Sequence, residues 1–158
     1  MLTSVFLGPS GVSAGPTPEE YVREVGGDAR IVPAGELTID GRKVICGKRP
    51  TVLDNKLDDY GAAYPGFLIL NAKHLATIKS TAVKLWIHAH ECGHQFRGPD
   101  EETADCFAVQ RGRRQGLAHV RRISRRVQIH GAGKGRRHAF HGDATMRRDE
   151  GVLRRSVD

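Results

Sequence analysis

His90-Glu91-Cys92-Gly93-His94-Gln95-Phe96-Arg97-Gly98-Pro99-Asp100-Glu101-Glu102-Thr103-Ala104-Asp105 is the stretch on which the reading of this chain turns. Its first five residues form an H-E-x-x-H. Residues four apart share one helix face, so the imidazoles of His90 and His94 can grip a single zinc ion. Glu91 stands beside them, where it can take a proton from a water held at that ion. Two ligands leave the site short, since catalytic zinc is normally held by three protein groups and a water. Gly98-Pro99 ends the helix, because glycine permits a C-terminal cap and proline cannot continue the ladder. A following helix that runs back antiparallel sets His94 opposite Glu101 and His90 opposite Asp105. That register makes Glu101 the third ligand and Asp105 the carboxylate that holds the other ring nitrogen of His90. Glu102 is the neighbouring alternative, but only Glu101 keeps the four-residue step to Asp105. A plainer account makes both acids ordinary first-turn residues that favour the helix dipole; the ligand count weighs against it.

The flanks supply the elements. Residues 81–96 read as a helix capped by Thr81, with Val83, Trp86, Ile87 and His90 at helical spacing. Asp100 caps a second helix over residues 101–113, with Ala104, Phe107 and Ala108 facing inward. A shorter helix is expected over residues 72–78. Phe67-Leu68-Ile69-Leu70-Asn71, bounded by Pro65-Gly66, is the clearest strand. Short strands are expected over residues 29–32, 36–39 and 43–46, with Asp40-Gly41 as a hairpin turn. Thr17 and Pro18 can open an N-terminal helix. Trp86 reads as core, and His74 and His88 as surface or partly buried histidines outside the ligand set.

H-E-x-x-H followed by E-x-x-A-D, with Phe107-Ala108 just after, resembles the gluzincin metallopeptidases, the clan of thermolysin, and most of all its short, soluble, often exported bacterial members. The likeness spans roughly residues 65–116. It implies a zincin-like fold, zinc as cofactor, peptide or protein substrates, and hydrolysis of a peptide bond. It assigns His90, His94 and Glu101 as zinc ligands, Glu91 as general base and Asp105 as the partner of His90. It also makes the strand at residues 67–71 the edge against which extended substrate pairs. The gap from His94 to Glu101 is shorter than in thermolysin-like enzymes and leaves little room for an intervening subdomain. No His or Tyr is evidently placed to stabilise an oxyanion; Tyr60, Tyr64 and His74 are the residues to inspect.

Composition bounds the rest. The chain has 158 residues, 39% hydrophobic and 27% charged, enough for one modest core. No apolar run reaches the roughly 18 residues that a membrane helix needs. The net charge of +7 is uneven: residues 1–110 carry 11 Lys+Arg against 14 Asp+Glu, and residues 111–158 carry 14 against 4. Residues 117–158 therefore read as a basic, low-order tail with too few apolar residues to offset ordering entropy. The abrupt change in pattern after a well-formed helix also fits translation in a shifted frame from about Gly116. If the frame is genuine, the tail's arginines can contact nucleic-acid phosphates. Residues 1–18 read as a flexible lead-in or a signal-peptide remnant with a small-residue stretch at Val12-Ser13-Ala14. Three cysteines, Cys46, Cys92 and Cys106, allow one bridge or none. Cys92 and Cys106 lie on the two facing helices and either pair in an oxidising compartment or remain small buried thiols; export is slightly favoured over a cytoplasmic setting.

The expected fold is thus an α+β, zincin-like minidomain over residues 19–116. Its H-E-x-x-H helix packs against a small sheet and an antiparallel E-x-x-A-D helix. The expected activity is zinc-dependent peptide hydrolysis. Two other readings stay open: a catalytically inactive metal-binding protein of the same fold used for interaction, and a basic nucleic-acid-binding protein in which the motif is incidental.

Overall fold

The computed structural model describes residues 15–115. The lead-in before residue 15 and the stretch from residue 116 onward, with the signal-remnant, shifted-frame and nucleic-acid readings attached to them, lie outside the described residues. From the N-terminus the elements are helix α1 (Pro18–Val25), strands β1 (Arg30–Val32), β2 (Thr38–Ile39), β3 (Arg42–Lys43), β4 (Thr51–Leu53), β5 (Gly61–Tyr64) and β6 (Phe67–Leu70), then helices α2 (Ala72–Thr77), α3 (Thr81–Arg97) and α4 (Glu101–Arg114). This is the expected mixed α+β class with a small sheet. Among the described residues no helix is long and apolar enough to cross a membrane.

Local chemistry accounts for the helix ends. Thr17 caps α1 in a reciprocal box: its hydroxyl accepts from the Glu20 amide at 3.2 Å, and the Glu20 carboxylate accepts from the Thr17 amide at 2.8 Å. Pro18 is the first helical residue, as expected, so the lead-in ends one residue earlier than the boundary drawn above. The cap of α3 is Ser80, not Thr81. The Thr81 hydroxyl donates instead to Asp40 at 2.7 Å, and Lys84 pairs with the same carboxylate at 2.8 Å, which ties the helix start to the β2–β3 hairpin. That hairpin turns on Asp40 and Gly41, with φ of 48° and 76°, the two positive values a type I′ turn demands. Asp100 caps α4 by accepting from the Thr103 amide at 2.8 Å, as expected.

The main sheet has the order β1-β4-β6-β5, with β4 and β6 parallel and the other pairs antiparallel. Strand β6 therefore lies inside the sheet, which corrects the expectation that it forms the edge; β1 and β5 are the edge strands, and β5 is the one beside β6. The reason is visible in its composition. Phe67, Leu68, Ile69 and Leu70 are all fully buried, because the sheet is covered on both faces. Leu68 and Leu70 pack toward α3 and α4, and Phe67 and Ile69 pack with Tyr21 and Val22 of α1. A strand buried on two sides reads as a continuous apolar run, without alternation.

Helix α3 is held on several sides. Trp86, Ile87 and Ala89 join Leu37, Ile39 and Val44 of the hairpin segment and Ala108 and Val109 of α4 in one core cluster. Cys92 forms a disulfide with Cys46, across a Cα–Cα distance of 5.6 Å. Of the two alternatives set out for Cys92 and Cys106, a mutual bridge or two thiols, neither holds for Cys92, whose partner lies in the segment before β4; Cys106 on α4 takes no part in that bridge. Helix α4 returns along α3 at close range. A Cβ on Gly93 would lie 3.0 Å from the Ala104 Cα and 3.1 Å from its carbonyl oxygen. Both are backbone atoms that cannot move aside independently.

Gly93→Ala should therefore destabilise the fold by about 1–3 kcal/mol through overpacking, even though alanine favours helix by about 1 kcal/mol. Urea denaturation of both proteins tests this; an alanine variant at least as stable as the parent would contradict the close helix contact.

Candidate metal centre

The i, i+4 spacing and the Gly98-Pro99 reversal bring three side chains together. His90 Nε2 lies 3.1 Å from His94 Nε2 and 3.1 Å from Glu101 Oε2, and His94 Nε2 lies 3.4 Å from the same oxygen. His90, His94 and Glu101 form the one group of His, Cys, Asp or Glu side chains found among the described residues that could hold a metal ion. His90 is buried at 5% exposure, and its side chain lies within ring contact of both Trp86 and His94.

The outer ring nitrogens decide what the inner ones can do. His90 Nδ1 lies 2.8 Å from Asp105 Oδ1, and His94 Nδ1 lies 3.0 Å from the Gly98 carbonyl oxygen. A carboxylate and a carbonyl only accept, so each Nδ1 is the favoured site of the proton in a neutral ring, and in that form each Nε2 presents a lone pair. Two lone pairs and a carboxylate oxygen then face one another at 3.1–3.4 Å. Such a convergence is repulsive until a cation or an added proton enters it. The protonation balance of His90 reflects this. Burial opposes its charged form, but the Asp105 hydrogen bond and the charges of Glu91, Asp105 and Glu101 outweigh burial and hold its pKa above the ordinary imidazole value.

Glu91 is carried on the same helix, on the side toward the sheet. A Cβ on Gly61 would lie only 2.9 Å from the Glu91 Cγ, so the first residue of β5 sits directly on this side chain. Burial raises the Glu91 carboxyl to about 7, with the charges of Asp59 and Glu101 adding to the rise and His90 working against it. Glu102 does not join the cluster.

Other residues singled out from the sequence are placed as follows. Tyr64 stacks on Phe67 and meets Tyr21 edge-on, on the sheet face away from α3. Tyr60 and His74 meet each other edge-on at 5.8 Å, and His74 Nδ1 lies 3.2 Å from the Asp59 carbonyl oxygen. Trp86 is core, at 8% exposure. His88 is fully buried, in contrast to the surface or partly buried position expected, and burial with help from the Arg111 charge pushes its pKa down to about 4. Three site-forming features escaped the sequence reading: Cys46 as the partner of Cys92, strand β5 beside Glu91, and Gln95. The small-residue run Gly61-Ala62-Ala63 ahead of the Pro65-Gly66 turn was the available signal for β5.

No family model, curated protein or solved structure matches the chain.

Two outcomes follow from the ring-nitrogen and burial arguments. Asp105→Ala should weaken binding of a divalent transition-metal ion by about 10–100-fold, because an outer partner that orients a ligating histidine has that effect; competition against a chromophoric chelator measures it, and unchanged affinity would remove Asp105 from the site. For His88, the folded pKa lies below the unfolded value of 6.5, so the unfolded state binds more protons between about pH 4 and 6.5. Its neutral burial thus contributes stability above pH 6.5 that is lost as pH falls toward 4, roughly 3 kcal/mol in all. Urea midpoints at pH 7.5 and 4.5, taken with chelator present, should converge markedly in His88→Phe relative to the parent.

Proposed function

We propose that this chain is a zinc-dependent peptide hydrolase with a zincin-like site. The observation that carries the reading is the set of ligand-atom separations. Tetrahedral donors about 2.1 Å from zinc lie roughly 3.4 Å from one another; the three atoms here are separated by 3.1, 3.1 and 3.4 Å. Two neutral imidazoles and one carboxylate are the donor set of a catalytic zinc site that keeps one position for water. His90, His94 and Glu101 are the ligands, and Asp105 and the Gly98 carbonyl orient the two rings.

When bound, the zinc ion acidifies a water and polarises the carbonyl to be cleaved. Glu91 accepts the proton of the attacking water and passes it to the departing amine. Its place on the helix turn that carries both imidazoles suits it to that transfer. The motif order, H-E-x-x-H then E-x-x-A-D, supports the same assignment through its resemblance to the gluzincins. The Cys46–Cys92 disulfide supports an exported or periplasmic setting, since such bridges persist in oxidising compartments.

Elemental analysis should find one zinc per chain, and chelation should abolish hydrolysis of a peptide library. Glu91→Gln should retain zinc and lose about 10²–10⁴-fold in rate, whereas His94→Ala should lose metal and activity together. Full activity in Glu91→Gln would reject the general-base role. Zinc retention without turnover on any peptide would favour a non-catalytic, metal-binding interaction protein of the same architecture.

A further inference from the structure

Gln95 follows His94 on α3, and its carboxamide reaches across to the turn that joins β5 to β6. Its Nε2 donates to the Tyr64 carbonyl and to the Phe67 carbonyl, the latter at 3.0 Å, and its Oε1 accepts from the Gly66 amide at 3.2 Å. Two acceptors on one side and one donor on the other match a primary amide; a carboxylate has no donor and an ammonium has no acceptor. The metal helix therefore holds three main-chain groups of the hairpin turn through one side chain.

The other end of β5 is placed by shape. Gly61 has no Cβ to keep the strand away from Glu91 and Leu70, which such an atom would approach to 2.9 and 3.0 Å. Ala63, two residues on and facing the same way, packs against Cys46, Leu68 and Cys92. Strand β5 is thus laid along α3 from Glu91 to Gln95. Its inner edge pairs with β6, and among the described residues no strand pairs with its outer edge. An outer edge that starts beside Glu91 suits an extended peptide, which can add to it by main-chain hydrogen bonds.

We propose that Gln95 is a positioning residue: by clamping the β5–β6 turn to the metal helix it sets the spacing between the outer edge of β5 and the zinc ligands, and so governs how well an extended peptide is presented for cleavage. This rests on the hydrolase reading above. Gln95 touches neither ligand nor substrate; it acts through the strand. On the face toward α3, Gly61 and Ala63 give β5 little side-chain anchorage, so there the polar clamp supplies what the Tyr64 stacking supplies on the other face.

The experiment uses the full chain loaded with zinc, as the parent and as Gln95→Met, Gln95→Glu and Gln95→Lys. Met keeps the length and removes every bond; Glu sets a carboxylate against two carbonyls; Lys keeps donors for both. Three quantities are measured: zinc affinity, amide hydrogen exchange of residues 61–64, and KM and kcat for a long peptide and for a dipeptide too short to pair along β5. In Met and Glu, exchange should rise by at least about tenfold, as loss of two or three hydrogen bonds implies. KM for the long peptide should rise by a similar factor, with dipeptide kinetics and zinc affinity within about twofold of the parent. Lys should recover part of both changes, and it remains a readable variant if Glu fails to fold. Unchanged exchange in Met, or equal losses on long and short substrates, would overturn the proposal. A parent that binds zinc and cleaves nothing defeats the hydrolase reading instead; the clamp then stands or falls on the exchange data.

Discussion

Helices α3 and α4 set a carboxylate among a pair of imidazoles where their backbones approach too closely for any side chain to stand between them. In this chain the contact of Gly93 with Ala104 provides that approach. Gly93 lies between Glu91 and His94 on one helix, and Ala104 lies between Glu101 and Asp105 on the other. The same close contact that joins the helices thus delivers Glu101 to the inner ring nitrogens and Asp105 to the outer one. A larger residue at either position would move both carboxylates away together. Packing and site geometry are one constraint here, because the candidate ligands are only a residue or three from the point of contact.

The remainder of the fold immobilises α3, the helix that carries most of the site. A disulfide anchors it at Cys92, apolar side chains from the hairpin segment and α4 pack along it, and Gln95 grips the sheet. These restraints hold the imidazoles in one arrangement. Preorganisation of this kind is what lets a site bind an ion without first ordering its ligands. The burial that raises Glu91 has the same origin, since the helix presses that side chain beneath the first residue of β5.

Some of this was legible in the sequence, and some was misread for identifiable reasons. The helices, the Asp100 cap and the Gly98-Pro99 break could be read because each depends on residues within a turn or two. Strand β6 was recognised and yet placed at the wrong position in the sheet: an apolar run reports burial and does not name the neighbours. Strand β5 went unseen because Gly61, Ala62 and Ala63 are too small to signal a buried face, although smallness is what its place beside Glu91 requires. His88 was expected nearer the surface, since its position on α3 was judged only by its offset from His90, which says nothing of what packs over the rest of the helix.

By itself the sequence determined the features that local chemistry controls: two imidazoles on one helix face, a chain reversal, and acids four residues apart at the start of the next helix. Their convergence, and the general α+β class, followed from spacing. Only the tertiary structure decided that Cys92 bonds to Cys46 and not to Cys106, that β5 forms the edge beside Glu91, and that Gln95 ties that edge to α3. Each of these joins residues dozens of positions apart. Their meeting depends on the packing of the whole sheet against α3, which no local pattern encodes.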